Sequence, residues 1–303
     1  MATDGTGLRF GENTAGGITL RYAAMGRSGA PLILMLHGFP EYWAGWRAVM
    51  ERLADRYFLV APDQRGYNLS SKPEGVENYR ARHLVGDIAA LADTLSPDQP
   101  FALAGHDWGA SIAYAYAFTH PGRLTHLVIA NGVHPACFQR AIFDDPDQRR
   151  ASQYINWLRS SKAELKLPED DFARMKRMLS GFSDTGWMDD AELRTYRAAW
   201  SEPGALTGML NWYRASPVIV PEPGAATPPG KSVLDLPVGA MTVAAPHLVL
   251  WGEADVALLP SCLDGLDRYA PELAVKKIAG AGHWILHEKP DEVAAAIAGF
   301  VGV

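Results

Sequence analysis

Hydrophobic residues along this chain fall into short runs, separated by longer stretches in which they recur every three or four positions. The short runs predict β-strands, and the longer stretches predict amphipathic helices. The predicted strands cover residues 18–25, 32–36, 58–61, 101–104, 124–130, 247–251 and 273–278. The predicted helices between and after them cover residues 43–54, 83–95, 108–119, 261–270 and 290–301. This alternation predicts an α/β fold, with a mostly parallel sheet and helices on both faces.

The alternation stops after Asn131 and resumes more than one hundred residues later. The intervening segment has no convincing strand pattern, and a stretch rich in Pro, Gly and Ala at its end reads as an irregular linker. Helical patterns within it cover residues 147–159, 169–179, 189–200 and 204–215. We therefore predict one α/β core formed by residues 1–133 and 217–303, interrupted by a helical insert at 134–216.

Composition narrows the class of protein. The chain has 303 residues, 48% of them hydrophobic, and a net charge of −6, which argues against a general nucleic-acid binder. Its two cysteines, Cys137 and Cys262, lack the spacing of a disulfide scaffold or metal site, so we expect reduced thiols. The N-terminus lacks a secretory pattern, and every apolar run is shorter than a membrane span. These features favour a cytoplasmic protein with no membrane partner, and they are compatible with a homodimer.

A candidate nucleophile lies in the sequence Gly105-His106-Asp107-Trp108-Gly109. It follows a predicted strand and precedes an Ala-rich helix, which is the setting of a nucleophile elbow with Asp107 in place of the usual Ser. Taken alone, the pattern equally fits an Asp that caps a helix. A carboxylate nucleophile is suited to displacing a leaving group from sp³ carbon, giving a covalent ester that water must then hydrolyse.

The second step requires a base, and His283 is the candidate. It lies in a Gly-rich loop after a predicted strand, and the chain order nucleophile, acid, His is that of α/β hydrolases. Asp255, just after another strand, would orient the imidazole, with Glu253 as its nearest rival. Another acid position of this fold follows the strand at 124–130, but Asn131 there carries no charge.

An oxyanion hole is predicted where the first continuous apolar strand runs into His37-Gly38-Phe39-Pro40. The backbone N–H groups of Phe39 and Trp108 would bind the oxyanion that forms when water attacks the ester. Pro40 restricts Phe39 to extended conformations and allows a cis bond between them. The alternative is an ordinary tight loop.

Together these motifs resemble the α/β-hydrolase-fold epoxide hydrolases and their haloalkane and haloacetate dehalogenase relatives. The matching segments are HGFPEYWAGWR (37–47), DQRGYNLSSKP (63–73), HLVGDIAALADTL (83–95), GHDWGA (105–110), LNWYRA (210–215), WGEADVALLP (251–260) and GHWILHEKPDEV (282–293). The resemblance implies that the helical insert is a cap over the carboxyl edge of the sheet. It also implies a small-molecule substrate and no metal or organic cofactor.

The resemblance further implies two cap tyrosines over the nucleophile, whose hydroxyls hold the epoxide oxygen. Tyr213 matches the second of these well, and Tyr154 matches the first less closely. The alternative for both is an amphipathic tyrosine in the core of the cap. Further residues expected to contact substrate are His37, Pro40, Trp157 and Trp284.

The expected function is therefore conversion of an epoxide to a vicinal diol through an Asp107 ester. The alternative is a dehalogenase with the same Asp-His-Asp triad. Phe39 stands where haloalkane dehalogenases commonly have Asn. Haloacetate dehalogenases carry Arg beside the nucleophile, where this chain has Trp108, Ala110 and Ser111. Trp157 keeps the haloacetate alternative open. An ester hydrolase and a catalytically idle ligand-binding receptor are further alternatives.

Overall fold

A single sheet of eight strands forms the centre of the structure, a computed structural model that describes residues 7–227, 230 and 232–302. The strands are β1 (Arg9–Ala15), β2 (Ile18–Met25), β3 (Leu32–Leu36), β4 (Phe58–Pro62), β5 (Phe101–His106), β6 (Leu124–Ala130), β7 (His247–Gly252) and β8 (Leu273–Ile278). Their order across the sheet is β1-β2-β4-β3-β5-β6-β7-β8. Strand β2 pairs antiparallel with β1 and β4, and all other neighbours are parallel.

Burial follows the position of each strand in the sheet. Every residue of β3, β4, β5 and β7 is buried, because helices cover both faces of the central strands. The edge strand β8 has four exposed residues in a row, including Lys276 and Lys277, and charges of this kind protect an edge against pairing with another chain.

Helices flank the sheet and fill the insert. They are α1 (Arg47–Leu53), α2 (Ala81–Leu95), α3 (Trp108–Thr119), α4 (Pro135–Asp144), α5 (Pro146–Ala151), α6 (Gln153–Arg159), α7 (Ser161–Lys166), α8 (Glu169–Phe182), α9 (Asp190–Ser201), α10 (Ala205–Ala215), α11 (Ile285–Glu288) and α12 (Pro290–Val301). Helices α4 to α10 all lie between β6 and β7 in the chain, with no strand among the described residues there. No helix in the part of the chain that the structure describes is long and apolar enough to cross a membrane.

The predicted α/β fold and its seven strands are confirmed, each strand within two residues of its predicted ends. Strand β1 was not predicted, because its sequence RFGENTA is mostly polar and it is held by backbone pairing with β2. The helix predicted at 261–270 is wrong. Two short 3₁₀ turns, Pro260–Leu263 and Leu266–Arg268, stand there, separated by Gly265 with a φ of 70°.

Other predicted helices are present with different boundaries. The helix predicted at 147–159 is two helices, α5 and α6, interrupted at Ser152. The one predicted at 43–54 begins as a 3₁₀ turn over Trp43–Trp46 before α1. Helices α4 and α7 were not predicted from the sequence. Helices are nevertheless the only regular elements among the described residues of the insert, as its pattern predicted.

Candidate active site

The site is centred on Asp107, which stands between the end of β5 and the start of α3. Its backbone has φ 50° and ψ −119°, a conformation that non-glycine residues rarely adopt. The turn requires glycine on its helical side, because a Cβ on Gly109 would lie 2.1 Å from the carbonyl oxygen of Leu36. A Cβ on Gly105 would lie 2.6 Å from the Gly109 oxygen. The motif therefore has the predicted strand–turn–helix geometry, and the turn presents Asp107 to the cavity described below.

Two groups hold the Asp107 carboxylate from opposite sides. The backbone N–H of Phe39 donates to Oδ1 at 2.7 Å, and the Nε2 atom of His283 lies 3.6 Å from Oδ2. The peptide bond between Phe39 and Pro40 is cis. Trp108 is the first residue of α3, a position where the backbone N–H has no acceptor within the helix. Both predicted oxyanion-hole residues therefore adjoin the nucleophile.

The imidazole of His283 is fixed by Asp255. Its Nδ1–H donates to Oδ2 of Asp255 at 2.8 Å, while Oδ1 accepts the backbone N–H groups of Ala257 at 2.8 Å and Leu258 at 2.9 Å. Glu253, the rival acid, is exposed on the same loop. The structure thus brings Asp107, His283 and Asp255 together, with His283 hydrogen-bonded to Asp255 and 3.6 Å from Asp107.

Charge balance in this arrangement favours an imidazolium between two carboxylates. Burial opposes a charged His283, but the charges and hydrogen bonds of Asp255 and Asp107 outweigh it and raise the pKa of His283 to about 10. Burial likewise opposes a charged Asp255, yet His283 and the donated hydrogen bonds hold the pKa of this carboxyl below its usual value.

Two tyrosines from the insert line the same cavity as Asp107. Tyr213 on α10 and Tyr154 on α6 have their ring centres 6.3 Å apart, and the cavity has a volume of about 340 Å³. Edge contacts with Phe39 and Trp108 hold the ring of Tyr213 at centroid distances of 5.1 Å and 5.0 Å. Burial, and then the negative charge of Asp107, raise the pKa of both phenols well above its usual value. Both are therefore protonated hydrogen-bond donors at neutral pH.

This fold and site have clear counterparts among known proteins. A family profile described as "alpha/beta hydrolase fold" matches residues 31–290. The chain belongs to this family. It is 38% identical to the "AB hydrolase superfamily protein YfhM" of Bacillus subtilis (strain 168), over 95% of each chain. It is 32% identical to "Epoxide hydrolase 3" of Xenopus tropicalis, over 94% of this chain and 75% of the relative.

A solved structure extends the likeness to three dimensions. It is described as one of the novel epoxide hydrolases of the alpha/beta hydrolase superfamily in metagenomes from hot environments. The two structures share 36% sequence identity and a TM-score of 0.88, over 97% of this chain and 98% of that one. The sequence resemblance to α/β-hydrolase-fold epoxide hydrolases is thus confirmed.

In this hydrolase, the four residues expected to contact substrate do not lie on the cavity wall. His37 is fully buried, and it donates from Nδ1 to the Gly38 carbonyl at 2.9 Å while Nε2 accepts the N–H of Gln64 at 3.1 Å. Both ring nitrogens are therefore committed to the backbone of the loops that follow β3 and β4. Pro40 is buried as well, and its carbonyl accepts the indole N–H of Trp200 at 2.6 Å.

The two tryptophans of that set serve packing rather than substrate contact. Trp284 is fully buried, and its indole N–H donates to the carbonyl of Leu179 at 2.7 Å. Trp157 lies under the guanidinium of Arg174, 5.5 Å from the ring centre. Sequence periodicity could not distinguish these rings from pocket walls, because both positions are apolar.

Asn131 has a role that sequence reasoning missed. Its Nδ2 donates to Oδ2 of Asp255 at 2.7 Å, and its Oδ1 accepts the backbone N–H of Gly252 at 2.8 Å. Asn131 therefore holds the acid and ties β6 to β7. The available signal was its place at the end of β6, because the carboxyl ends of neighbouring parallel strands meet at one edge of the sheet.

A buried carboxylate beneath the nucleophile was also missed. Glu41 accepts hydrogen bonds from Tyr196 Oη at 2.9 Å and His287 Nε2 at 2.7 Å, and its Oε2 lies 3.1 Å from Nδ1 of His106. The Nε2 of His106 in turn lies 2.8 Å from the backbone carbonyl of His283. Burial opposes the charge on Glu41, but the two histidines hold its pKa well below the usual value. This cluster links the loop after β3, the elbow and the loop that carries His283.

Proposed function

We propose that this protein hydrolyses an epoxide to a vicinal diol through a covalent ester on Asp107. One observation carries the proposal: two phenols that burial keeps protonated share a cavity with a carboxylate on a nucleophile elbow. Ring opening develops charge on an oxygen that stays attached to the substrate, so donors placed opposite the nucleophile meet this need. The named epoxide hydrolases among the relatives support the same conclusion.

In the first step, Oδ2 of Asp107 bonds to a ring carbon and the C–O bond of the epoxide breaks. Oδ1 is held by the N–H of Phe39, which leaves Oδ2 as the attacking atom. The opening oxygen accepts hydrogen bonds from Tyr154 and Tyr213 and takes the proton of one of them. Removing one donor to a developing oxyanion typically costs about 2.7–4 kcal/mol of transition-state stabilisation.

In the second step, water is added across the ester. Ester formation removes the charge of Asp107, one of the two carboxylates that raise the pKa of His283. The imidazolium therefore gives its proton back to the tyrosine that protonated the opening oxygen, and the neutral imidazole can act as base. His283 then takes a proton from water as the water oxygen bonds to Cγ of Asp107. The Cγ–Oδ2 bond breaks, and Oδ2 leaves in the diol with that proton from His283. The new Asp107 carboxyl then gives its own proton to His283, which restores the carboxylate and the imidazolium.

The same proposal assigns the two parts of the chain their roles. Residues 1–133 and 217–303 act as the core that carries the triad, and residues 134–216 act as a cap that supplies both tyrosines. Support comes from the hydrogen bonds by which cap tryptophans reach core loops, from Trp200 to Pro40 and from Trp212 to Arg65.

The dehalogenase alternative fits the cavity less well. A haloacetate would need a cation for its carboxylate, whereas Asp107 is the only charged side chain on the wall within the described residues. A leaving halide needs N–H donors, and the indole N–H of Trp212 is already donated to the carbonyl of Arg65 at 2.9 Å. Trp108, which also lines the cavity, is compatible with either reaction. Neutral substrates are therefore favoured.

A single turnover in heavy-oxygen water tests the covalent route. Enzyme in excess over styrene oxide is expected to place the label in the Asp107 peptide, because water's oxygen enters the carboxylate while the original Oδ2 leaves in the diol. Mass spectrometry of the digested protein and of the diol measures both. Label only in the first-turnover diol would overturn the ester route. Halide release from 1-bromobutane or fluoroacetate without diol from any epoxide would instead favour a dehalogenase.

A further inference from the structure

One face of helix α3 lines the cavity along the whole length of the helix. The cavity-lining positions recur at intervals of three and four or fall side by side, which places them on a single helical face. They are Trp108, Ser111, Ile112, Ala115, Phe118 and Thr119. At a rise of 1.5 Å per residue, this face extends about 16 Å from the nucleophile. The cavity is therefore elongated, with Asp107 at one end of the helix.

The end remote from Asp107 reaches the protein surface. Thr119, the last residue of the lining face, is exposed. Leu236, from the segment that leads back to β7, also lines the cavity and is 50% exposed. Val233 and Met241 extend the wall from the same segment. An apolar side chain at an opening allows a chain within the cavity to continue outwards.

The walls between the two ends offer almost no polar partner. The Gln139 side chain is occupied, because it donates to the Ile219 carbonyl and accepts the Ile219 N–H, each at 2.8 Å. The hydroxyl of Thr119 donates to the carbonyl of Ala115 at 2.8 Å. Polar groups on a bound chain would lose their water contacts here without replacement, at a cost in binding.

The composition of α3 fits this arrangement. A helix that only packed on the sheet would carry polar residues on its outer face. Instead α3 buries Ala113 and Ala117 and presents Ile112, Ala115 and Phe118 to the cavity. Between Ser111 and Thr119 the face turned to the cavity is apolar, where an outer face would otherwise carry polar residues, and this points to an apolar occupant.

We propose that this face of α3 forms a channel for the unbranched hydrocarbon chain of a terminal epoxide. The ring would lie at Asp107, and the chain would run past Ala115 towards Leu236. This inference rests on the proposed function, which it deepens by naming the substrate class. Ala115 is the specificity-determining position, because its small side chain leaves the middle of the channel open.

A series of 1,2-epoxyalkanes tests the channel: the butane, hexane, octane and decane epoxides, with diol formation followed at low substrate concentration. Burying one methylene contributes about 0.8 kcal/mol, so kcat/KM is expected to rise about fourfold per added methylene. Diol formation with a flat dependence on chain length would overturn the channel while leaving epoxide hydrolysis intact. No diol from any member would contradict the proposed function itself.

Substitution of Ala115 locates the chain. Ala115→Leu places a larger side chain midway, so the ratio of kcat/KM for the decane epoxide to that for the butane epoxide is expected to fall at least tenfold. The matched control is Ala295→Leu on the exposed face of α12, which should keep the wild-type ratio. Ala115→Val gives the same test with a smaller fall if the leucine variant folds poorly. A folded variant at this position with the wild-type ratio would overturn the proposal.

Discussion

At the scale of single residues, the site depends on groups whose charges are set by one another. Asp107 and Asp255 lie on either side of His283, within 3.6 Å and 2.8 Å of its two ring nitrogens. The phenols of Tyr154 and Tyr213 keep their protons because burial and the nearby Asp107 charge disfavour phenolate. Changing one member is therefore expected to alter the protonation or the chemistry of the others.

The first prediction concerns Tyr213. Tyr213→Phe removes one donor to the opening oxygen and should lower kcat/KM for styrene oxide about 10²–10³-fold. Any turnover of 1-bromobutane should fall much less, because no ring oxygen is formed there. Rates for both substrates, measured on one preparation, check this. Equal losses for the two substrates would indicate that Tyr213 only packs in the cap.

The second prediction concerns protonation. A histidine ordinarily titrates near pH 6.5, whereas the pKa of His283 is about 10 in the folded protein. This ion pairing therefore stabilises the fold fully below pH 6.5, and the contribution is lost as pH rises towards 10. In Asp107→Asn the pKa of His283 should be lower, because one carboxylate charge is gone. Titration of the ring proton by NMR, assigned with His283→Gln, measures it, and equal values in both proteins would contradict the prediction.

At the scale of elements, the elbow depends on how closely α3 approaches the neighbouring strand β3. Gly109 lies against the last residue of β3, Leu36, with no space for a methyl group between them. This contact lets the helix start directly beneath the loop of the oxyanion hole. The position of the nucleophile relative to Phe39 is therefore a property of two packed elements rather than of one motif.

The third prediction follows from that contact. Gly109→Ala would put a carbon 2.1 Å from a backbone oxygen, so the strand or the helix must move, and overpacking of this kind costs about 1–3 kcal/mol. Gly299→Ala in α12 is the control, since its added methyl meets nothing within 4 Å and should stabilise the helix by about 0.5–1 kcal/mol. Urea unfolding of both variants checks the opposite signs. If the two variants were equally stable, α3 and β3 would be able to move apart at Gly109 without cost.

At the scale of the whole molecule, the helical insert is attached to the core by buried polar contacts as well as by apolar packing. Tyr196 on α9 donates to Glu41, Trp200 on the same helix donates to Pro40, and Trp212 on α10 donates to Arg65. All three acceptors belong to loops that follow core strands. The insert is thus fixed to the same edge of the sheet that carries the triad.

The fourth prediction tests the tyrosine contact. Tyr196→Phe leaves the buried Glu41 carboxylate without one donor, and hydrogen bonds to charged groups contribute about 1.5–3 kcal/mol. The free energy of unfolding should fall by about that amount. Tyr57→Phe is the matched control, because the Tyr57 hydroxyl only approaches carbonyls at 3.5 Å, and its loss should matter less. If the Tyr196 variant were as stable as the control, the hydrogen bond from Tyr196 to Glu41 would not help to fix the insert to the core.

Much of the fold was predictable because its signals are local. Strand β3 is a continuous apolar run, and a run buried on both faces of a parallel sheet reads the same in sequence as in structure. The elbow was predictable for the same reason, since Gly105 and Gly109 lie two positions either side of Asp107. So was the chain order that ends in His283. Strand β1 lacks such a signal, because its polar residues gain their order from the neighbouring β2.

By itself, the sequence determined the fold class and the helical pattern of residues 134–216, and it predicted the triad and the two tyrosines, since these calls depend on residue type and spacing. Only the tertiary structure decided which side chains reach the cavity. It showed that the cavity is not lined by His37, Pro40, Trp157 or Trp284. It also showed that Asn131 binds Asp255, which is 124 positions away in the chain. Periodicity shows that a position is apolar or polar, but contacts between distant segments decide what that position faces.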